Sequence, residues 1–171
     1  MKKAVFLDRD GTINHVILNN KSQSPRTLND LKLIKNITTV SKYLKKKNYL
    51  LIMITNQPDV SRGLNTKKNV NEINNFIKKK IGLDDIYVCF SKNDKNFRRK
   101  PNPGMLIDAK KKWNISFKKS YLVGDREKDI KAGNKLRIKT IFFFNNNNKE
   151  KKQIKSNFKI TSLKEIYSII K

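Results

Sequence analysis

Two close pairs of aspartates, Asp8 with Asp10 and Asp125 with Asp129, stand out in a chain with only fourteen acidic residues. Carboxylates two residues apart, met by a third from another segment, offer the hard oxygen ligands that Mg²⁺ takes, with positions left for water and a substrate phosphate. Acids gathered this closely repel one another. The lysine of the run Arg98-Arg99-Lys100 could offset them, while Thr55 and backbone N–H groups bind the remaining phosphate oxygens. The residue types therefore suit chemistry on a phosphate group.

Such residues need elements to bring them together. Apolar runs of strand length at 4–7, 49–54, 86–90, 121–123 and 140–144 alternate with segments of helical period at 33–47, 66–80, 103–112 and 128–136. This alternation predicts an α/β fold built on a central parallel sheet with crossover helices. A last helix at 162–170 repeats Leu163, Ile166, Tyr167 and Ile170 at helical spacing and should pack on the sheet. The polar, aperiodic stretch 145–155 reads as a solvated loop. Ligands of open parallel sheets bind beyond the carboxyl ends of the strands. Three of the expected strand ends are polar there: Asp8-Arg9-Asp10-Gly11-Thr12, Thr55-Asn56-Gln57, and Gly124-Asp125 running on to Asp129. Any one of them is ordinary turn or capping chemistry. All three at one pole make a site.

At 171 residues the chain suits one compact domain. Its apolar runs are too short to span a bilayer, and the amino terminus lacks a secretory pattern, so a cytoplasmic protein without a membrane partner is expected. Cys89 is the only cysteine and has no disulfide partner within the chain. The net charge of +26 points on its face to nucleic acid. The lysines, however, are spread evenly beside abundant asparagine, a pattern that AT-rich coding also produces. Nucleic acid is therefore not expected as the partner.

The ordered set of motifs resembles the haloacid dehalogenase (HAD) superfamily of phosphatases. Asp8-Arg9-Asp10-Gly11-Thr12 matches its first motif, Thr55 its second, Lys100 its third, and Gly124-Asp125 with Asp129 its fourth. Thr55-Asn56-Gln57 followed by Arg62-Gly63, and Arg99-Lys100-Pro101 followed by Pro103-Gly104-Met105, look like the branch of heptose bisphosphate phosphatases and histidinol-phosphatases. The resemblance implies a three-layer Rossmann-like fold and a Mg²⁺-dependent phosphatase. It makes Asp8 the nucleophile and Asp10 the proton donor and acceptor, and Thr55 and Lys100 hold the transferred group. Mg²⁺ would be held by Asp8, Asp125 and the backbone carbonyl of Asp10. Asn56, Gln57, Arg99, Lys100 and Arg126 would contact a small phosphorylated sugar. Asp129 has two readings: it orients Lys100 or a metal-bound water, or it is a helix N-terminal acid.

Many relatives carry a structural zinc on four soft ligands before the third motif. Here Cys89 remains, while Ser91, Asn96 and Arg98 stand at the other three positions, so no structural zinc is expected and Cys89 reads as a buried small residue. The lone His15 reads as a solvated loop residue, and Trp113 as packed on the core edge. The intervals between motifs leave room for loops alone, so an open site without a cap domain is expected, with 15–26 and 92–99 setting specificity. A monomer is expected. Alternatives are a histidinol-phosphate or nucleic-acid 3′-phosphatase and, from another class, a non-catalytic nucleic-acid-binding module.

Overall fold

The computed structural model describes residues 1–19, 21–144 and 154–171; most of the expected 145–155 loop lies outside them. The elements run β1 (Lys3–Leu7), β2 (Ile17–Asn19), β3 (Lys21–Gln23), α1 (Ile37–Lys46), β4 (Tyr49–Asn56) and α2 (Lys67–Ile81). They continue with β5 (Asp85–Cys89), α3 (Gly104–Trp113), β6 (Tyr121–Gly124), α4 (Glu127–Lys135), β7 (Lys139–Phe143), β8 (Phe158–Ile160) and α5 (Ile166–Ile169). Six strands form one sheet in the order β5-β4-β1-β6-β7-β8, every pairing parallel.

The strand sequences build the three layers directly. Successive side chains of a strand face opposite sides. Val5 and Leu7 of β1, with Leu51 and Met53 of β4, therefore enter one core with Ile37, Val40 and Leu44 of α1, Ile73 and Ile77 of α2, and Ile166 of α5. Ala4 and Phe6, with Ile52 and Ile54, enter the other with Met105, Leu106 and Ala109 of α3 and Ala132 of α4. Burial on both faces is why these strands read as unbroken apolar runs.

Helix ends follow local chemistry. Thr66, expected inside α2, caps it instead, its hydroxyl accepting from Asn69 N at 3.1 Å. Asn36 adopts a left-handed backbone (φ 69°) and delays α1 to Ile37, four residues later than the apolar period suggested. The segment 162–170 opens as a 3₁₀ turn, Leu163–Glu165, and only its second half is α5. Glu165 accepts from the N–H groups of Thr161 and Ser162 at 2.8 Å each, which fixes that start.

Three strands escaped the sequence pattern. The interval after Thr12, expected to hold loops, folds in part into the antiparallel hairpin β2–β3, paired Ile17↔Gln23 and Leu18↔Ser22. The three-residue β8 extends the sheet beside β7. Among the described residues no helix is long and apolar enough to cross a membrane.

Candidate active site

Strand register fixes the centre of the site. Leu7 of β1 lies level with Met53 of β4 and Val123 of β6, so Asp8, Thr55 and Asp125 leave their strands at one pole. Asp8 N donates to Val123 O at 3.0 Å, which seats the carboxylate between the two neighbouring strands. Lys100 arrives from the segment after β5. Its Nζ donates to Ile54 O at 3.0 Å and to Asp8 Oδ1 at 2.6 Å, and it lies 2.7 Å from Asp129 Oδ1.

Asp8, Asp125, Asp129 and Lys100 are all buried. Burial disfavours each charge, and the outcome is decided by neighbours. Burial first, then Asp129, raises Asp8 to about 6 against the pull of Lys100. Burial, then Asp8 and Asp129, raises Asp125 to about 8 against Arg126 and Lys100. For Lys100 the two carboxylates outweigh burial and hold the ammonium charged.

The carboxylates of Asp8, Asp125 and Asp129 bring ligand atoms within 4.8 Å of one another. Two glycines make that approach possible. A Cβ on Gly11, whose φ is +90°, would run into the Asp125 carboxylate, and one on Gly124 would run into Asp129. A buried oxygen-donor set carrying more acid than one lysine neutralises fits a hard divalent cation.

Asp10 has opposite surroundings. Its carboxylate accepts from Arg9 at 3.0 and 3.1 Å, Asn14 at 3.0 Å, Ser24 at 2.7 Å and Gln57 at 2.7 Å. Burial pulls its pKa upward, but the Arg9 charge and these donors win, and the carboxyl sits below its ordinary range. Asp10 thus stands outside the three-carboxylate group.

The other expected residues divide. Thr55 lines the cleft, its hydroxyl accepting from Gln57 Nε2 at 3.0 Å. Asn56 clamps the Lys100 backbone from both sides, Nδ2 to Lys100 O at 3.0 Å and Lys100 N to Oδ1 at 3.1 Å, and also lines the cleft. Gln57 is buried and braces Asp10 and Thr55. Arg126 lines the cleft, its Nε 3.6 Å from Asp125. Arg99 does not line it: Nε donates to Asp94 Oδ1 at 2.7 Å and Nη1 to Ser91 O at 3.0 Å. Asp129 makes a contact belonging to each of the two readings weighed for it. One oxygen meets Lys100, and the other accepts from Arg126 N at 3.1 Å as the acid of the α4 cap.

Sequence reasoning missed Arg9, Asn14, Ser24 and Asn74. Arg9 is fully buried and runs from Asp10 to Asn74 Oδ1 at 3.0 Å. Asn74 was the visible signal, being the polar residue in the buried stripe Val70, Ile73, Ile77 and Ile81 of α2. Ser24 comes from just past the unforeseen hairpin.

Of the positions where relatives place zinc ligands, Cys89 is buried with Sγ 3.7 Å from Asn96 Oδ1, which also accepts from Arg98 N at 2.9 Å. His15 is exposed, as expected, and Trp113 packs at the core edge with Nε1 donating to Asp85 at 2.7 Å.

The family model described as polynucleotide kinase 3 phosphatase matches residues 3–164. A D-glycero-β-D-manno-heptose-1,7-bisphosphate 7-phosphatase of Helicobacter pylori is 35% identical over 144 residues, 80% of each chain. A D-glycero-α-D-manno-heptose-1,7-bisphosphate 7-phosphatase of Campylobacter jejuni is 32% identical over 174 residues, spanning 99% of this chain and 96% of its own. A solved D,D-heptose 1,7-bisphosphate phosphatase of B. bronchiseptica, complexed with magnesium and phosphate, shares the fold at TM-score 0.81 and 19% identity, covering 98% of this chain and 97% of that one. With the motifs at the strand ends and these likenesses together, the chain belongs to the polynucleotide kinase 3 phosphatase family of HAD phosphatases.

Proposed function

We propose that the protein hydrolyses a phosphomonoester of a small sugar phosphate, D-glycero-D-manno-heptose 1,7-bisphosphate at its 7-phosphate, with Asp8 as nucleophile. The observation that carries this reading is the placement of Asp8, bonded at 2.6 Å to the buried Lys100 and flanked by Asp125 at the pole where three strands end. The relatives named above supply the substrate class.

Asp8, Asp125 and the backbone carbonyl of Asp10 would hold Mg²⁺, the ion solved with the B. bronchiseptica enzyme. When bound, the ion neutralises phosphate charge and makes anionic attack on an anionic ester feasible. The rest is done by side chains. Asp8 attacks phosphorus as the ester oxygen leaves, forming an aspartyl phosphate that water then cleaves. Lys100 and the Thr55 hydroxyl bind the non-bridging oxygens where charge spreads in the transition state. Asn56 keeps Lys100 in place through its backbone. Asp10 is ionised in the empty site, and an arriving phosphate dianion raises its proton affinity, so the substrate-bound state supplies the acid for the leaving oxygen. The same carboxylate, once deprotonated, takes a proton from the attacking water. Arg9, Asn14, Ser24 and Gln57 fix its direction.

The protein acts in the cytoplasm as a monomer. The family description favours one other reading, a polynucleotide 3′-phosphatase, which the net charge of +26 would assist. Phosphate release from the heptose bisphosphate and from a 3′-phosphorylated oligonucleotide, compared at equal enzyme and Mg²⁺ concentrations, separates the two. At least about a hundredfold preference for the sugar in kcat/KM, some 3 kcal/mol of transition-state discrimination, is expected. Preference for the oligonucleotide would overturn the proposal.

A further inference from the structure

One polar residue interrupts the buried stripe of α2. Val70, Ile73, Ile77 and Ile81 form that stripe, and Asn74 stands among them at 3% exposure. An amide buried in apolar surroundings costs free energy unless its polar atoms are hydrogen-bonded, and asparagine is a poorer helix former than leucine. Packing alone would favour leucine there. Asn74 uses one side of its amide: Oδ1 accepts from Arg9 Nη1 at 3.0 Å, while Nδ2 has no hydrogen-bond partner among the described residues. Its one polar partner is therefore Arg9.

Arg9 is anchored at both ends. Its carbonyl accepts from the N–H groups of Thr12, Ile13 and Asn14 at 3.3, 2.8 and 3.1 Å, which closes the turn after β1 around it. Its side chain, wholly buried, reaches α2. Between these anchors the guanidinium gives Nε to one oxygen of Asp10 at 3.0 Å and Nη2 to the other at 3.1 Å. Asn14, Ser24 and Gln57 each meet one oxygen of that carboxylate, whereas Arg9 meets both. A planar fork bonded to both oxygens fixes the plane of a carboxylate. Nη1 belongs to the same rigid fork, so the acceptor on α2 fixes the guanidinium and, through it, the direction of Asp10. The nucleophile is held by other groups: Asp8 takes its bond from Lys100 and its seat from Val123 of β6.

We infer that Asn74 is a positioning residue of the reaction: by holding Arg9 it aims the Asp10 carboxylate, and it thereby governs the proton-transfer steps without governing attack by Asp8. The inference rests on the proposed reading of Asp10 as the carrier of those protons. A misaimed general acid or base loses much of a contribution that is typically about a hundredfold or more, while a leaving group that needs no proton is still displaced.

The test is pre-steady-state kinetics on the full chain with Mg²⁺ and p-nitrophenyl phosphate, whose leaving group departs without a proton. Asn74→Leu keeps the size of the side chain and removes the acceptor. It should lower kcat at least about tenfold and leave kcat/KM within about threefold, because kcat/KM ends with attack by Asp8 whereas kcat includes the hydrolysis that needs Asp10. A burst of p-nitrophenol approaching one per chain should precede the slow phase. Asn74→Asp keeps an oxygen at the Oδ1 position and should return kcat to within about threefold of wild type. Arg9→Lys keeps the charge, loses the fork and should give the same burst as Asn74→Leu, independently of packing at position 74. General damage to the fold would lower kcat/KM and give no burst. Wild-type kcat in Asn74→Leu, or a loss without a burst, would overturn the inference. Asp10→Asn, run alongside, separates the two failures: a burst in Asp10→Asn but not in Asn74→Leu removes the role of Asn74 alone, and no burst in either removes the reading of Asp10 with it.

Discussion

The floor and the rim of one cleft are built by different means. On the floor, Asp8, Lys100, Asp125 and Asp129 are buried and held by strand register, by bonds of 2.6 and 2.7 Å, and by two glycines that leave no room for a Cβ. On the rim, Arg62, Asp94 and Lys128 are exposed and supported by single ion pairs or none. A buried charge has large energetic consequences, because removing one partner strands the other, whereas an exposed pair is worth little. On the proposed reading the floor sets whether the reaction occurs, and the exposed rim has the smaller effect.

Substitutions should fall steeply in effect from floor to rim. Asp8→Asn is nearly isosteric and should lower kcat by at least about a thousandfold, read as phosphate release, with circular dichroism unchanged. Gly124→Ala drives a Cβ into Asp129, displaces the partner of Lys100, and should cost about a hundredfold in kcat with little change in KM. Asp94→Asn frees Arg99 from an exposed pair and should change KM by about twofold at most. A rim substitution that matched the floor in kcat would break the division.

The floor also predicts a pH dependence that the rim does not. Burial, helped by neighbouring acids, raises Asp8 to about 6 and Asp125 to about 8, above an unfolded value of about 3.9. Groups raised in this way contribute stability that is present below the unfolded pKa and lost as pH rises through the folded values. Metal-free protein should lose thermal stability from pH 4 towards pH 8, and the gain in Tm on adding Mg²⁺ should be larger at pH 8 than at pH 5. Asp125→Asn should flatten both trends. Scanning calorimetry checks this, and a Mg²⁺ effect independent of pH would remove the carboxylates from the metal site.

The same division explains what the sequence disclosed. Asp8, Thr55 and Asp125 were legible because each follows an apolar run buried on both faces, and a parallel sheet puts such ends at one pole. The bracing of Asp10 was not. Arg9 and Gln57 look like exposed or substrate-facing groups in a string of letters, and only the packing of α2 and the turn after β4 turns them inward. Hairpin β2–β3 and strand β8 are three residues long per strand, too short for periodicity to register. Leu33 and Ile34 kept the helical spacing of α1 but are cut off from it by the left-handed Asn36. Arg99, expected at the substrate because of its motif, hydrogen-bonds Asp94 and the Ser91 carbonyl, contacts no local pattern encodes.

The central claim is that Asp8 carries the phosphoryl group, and the variant Asp10→Asn tests it most directly. With p-nitrophenyl phosphate the leaving group needs no proton, so attack by Asp8 proceeds while the loss of the Asp10 base stalls hydrolysis. Acid-quenched protein mapped by mass spectrometry should then carry phosphate on the peptide containing Asp8, in amounts approaching one per chain. Phosphate on another residue, or release of p-nitrophenol at the wild-type rate with unmodified Asp8, would contradict the account.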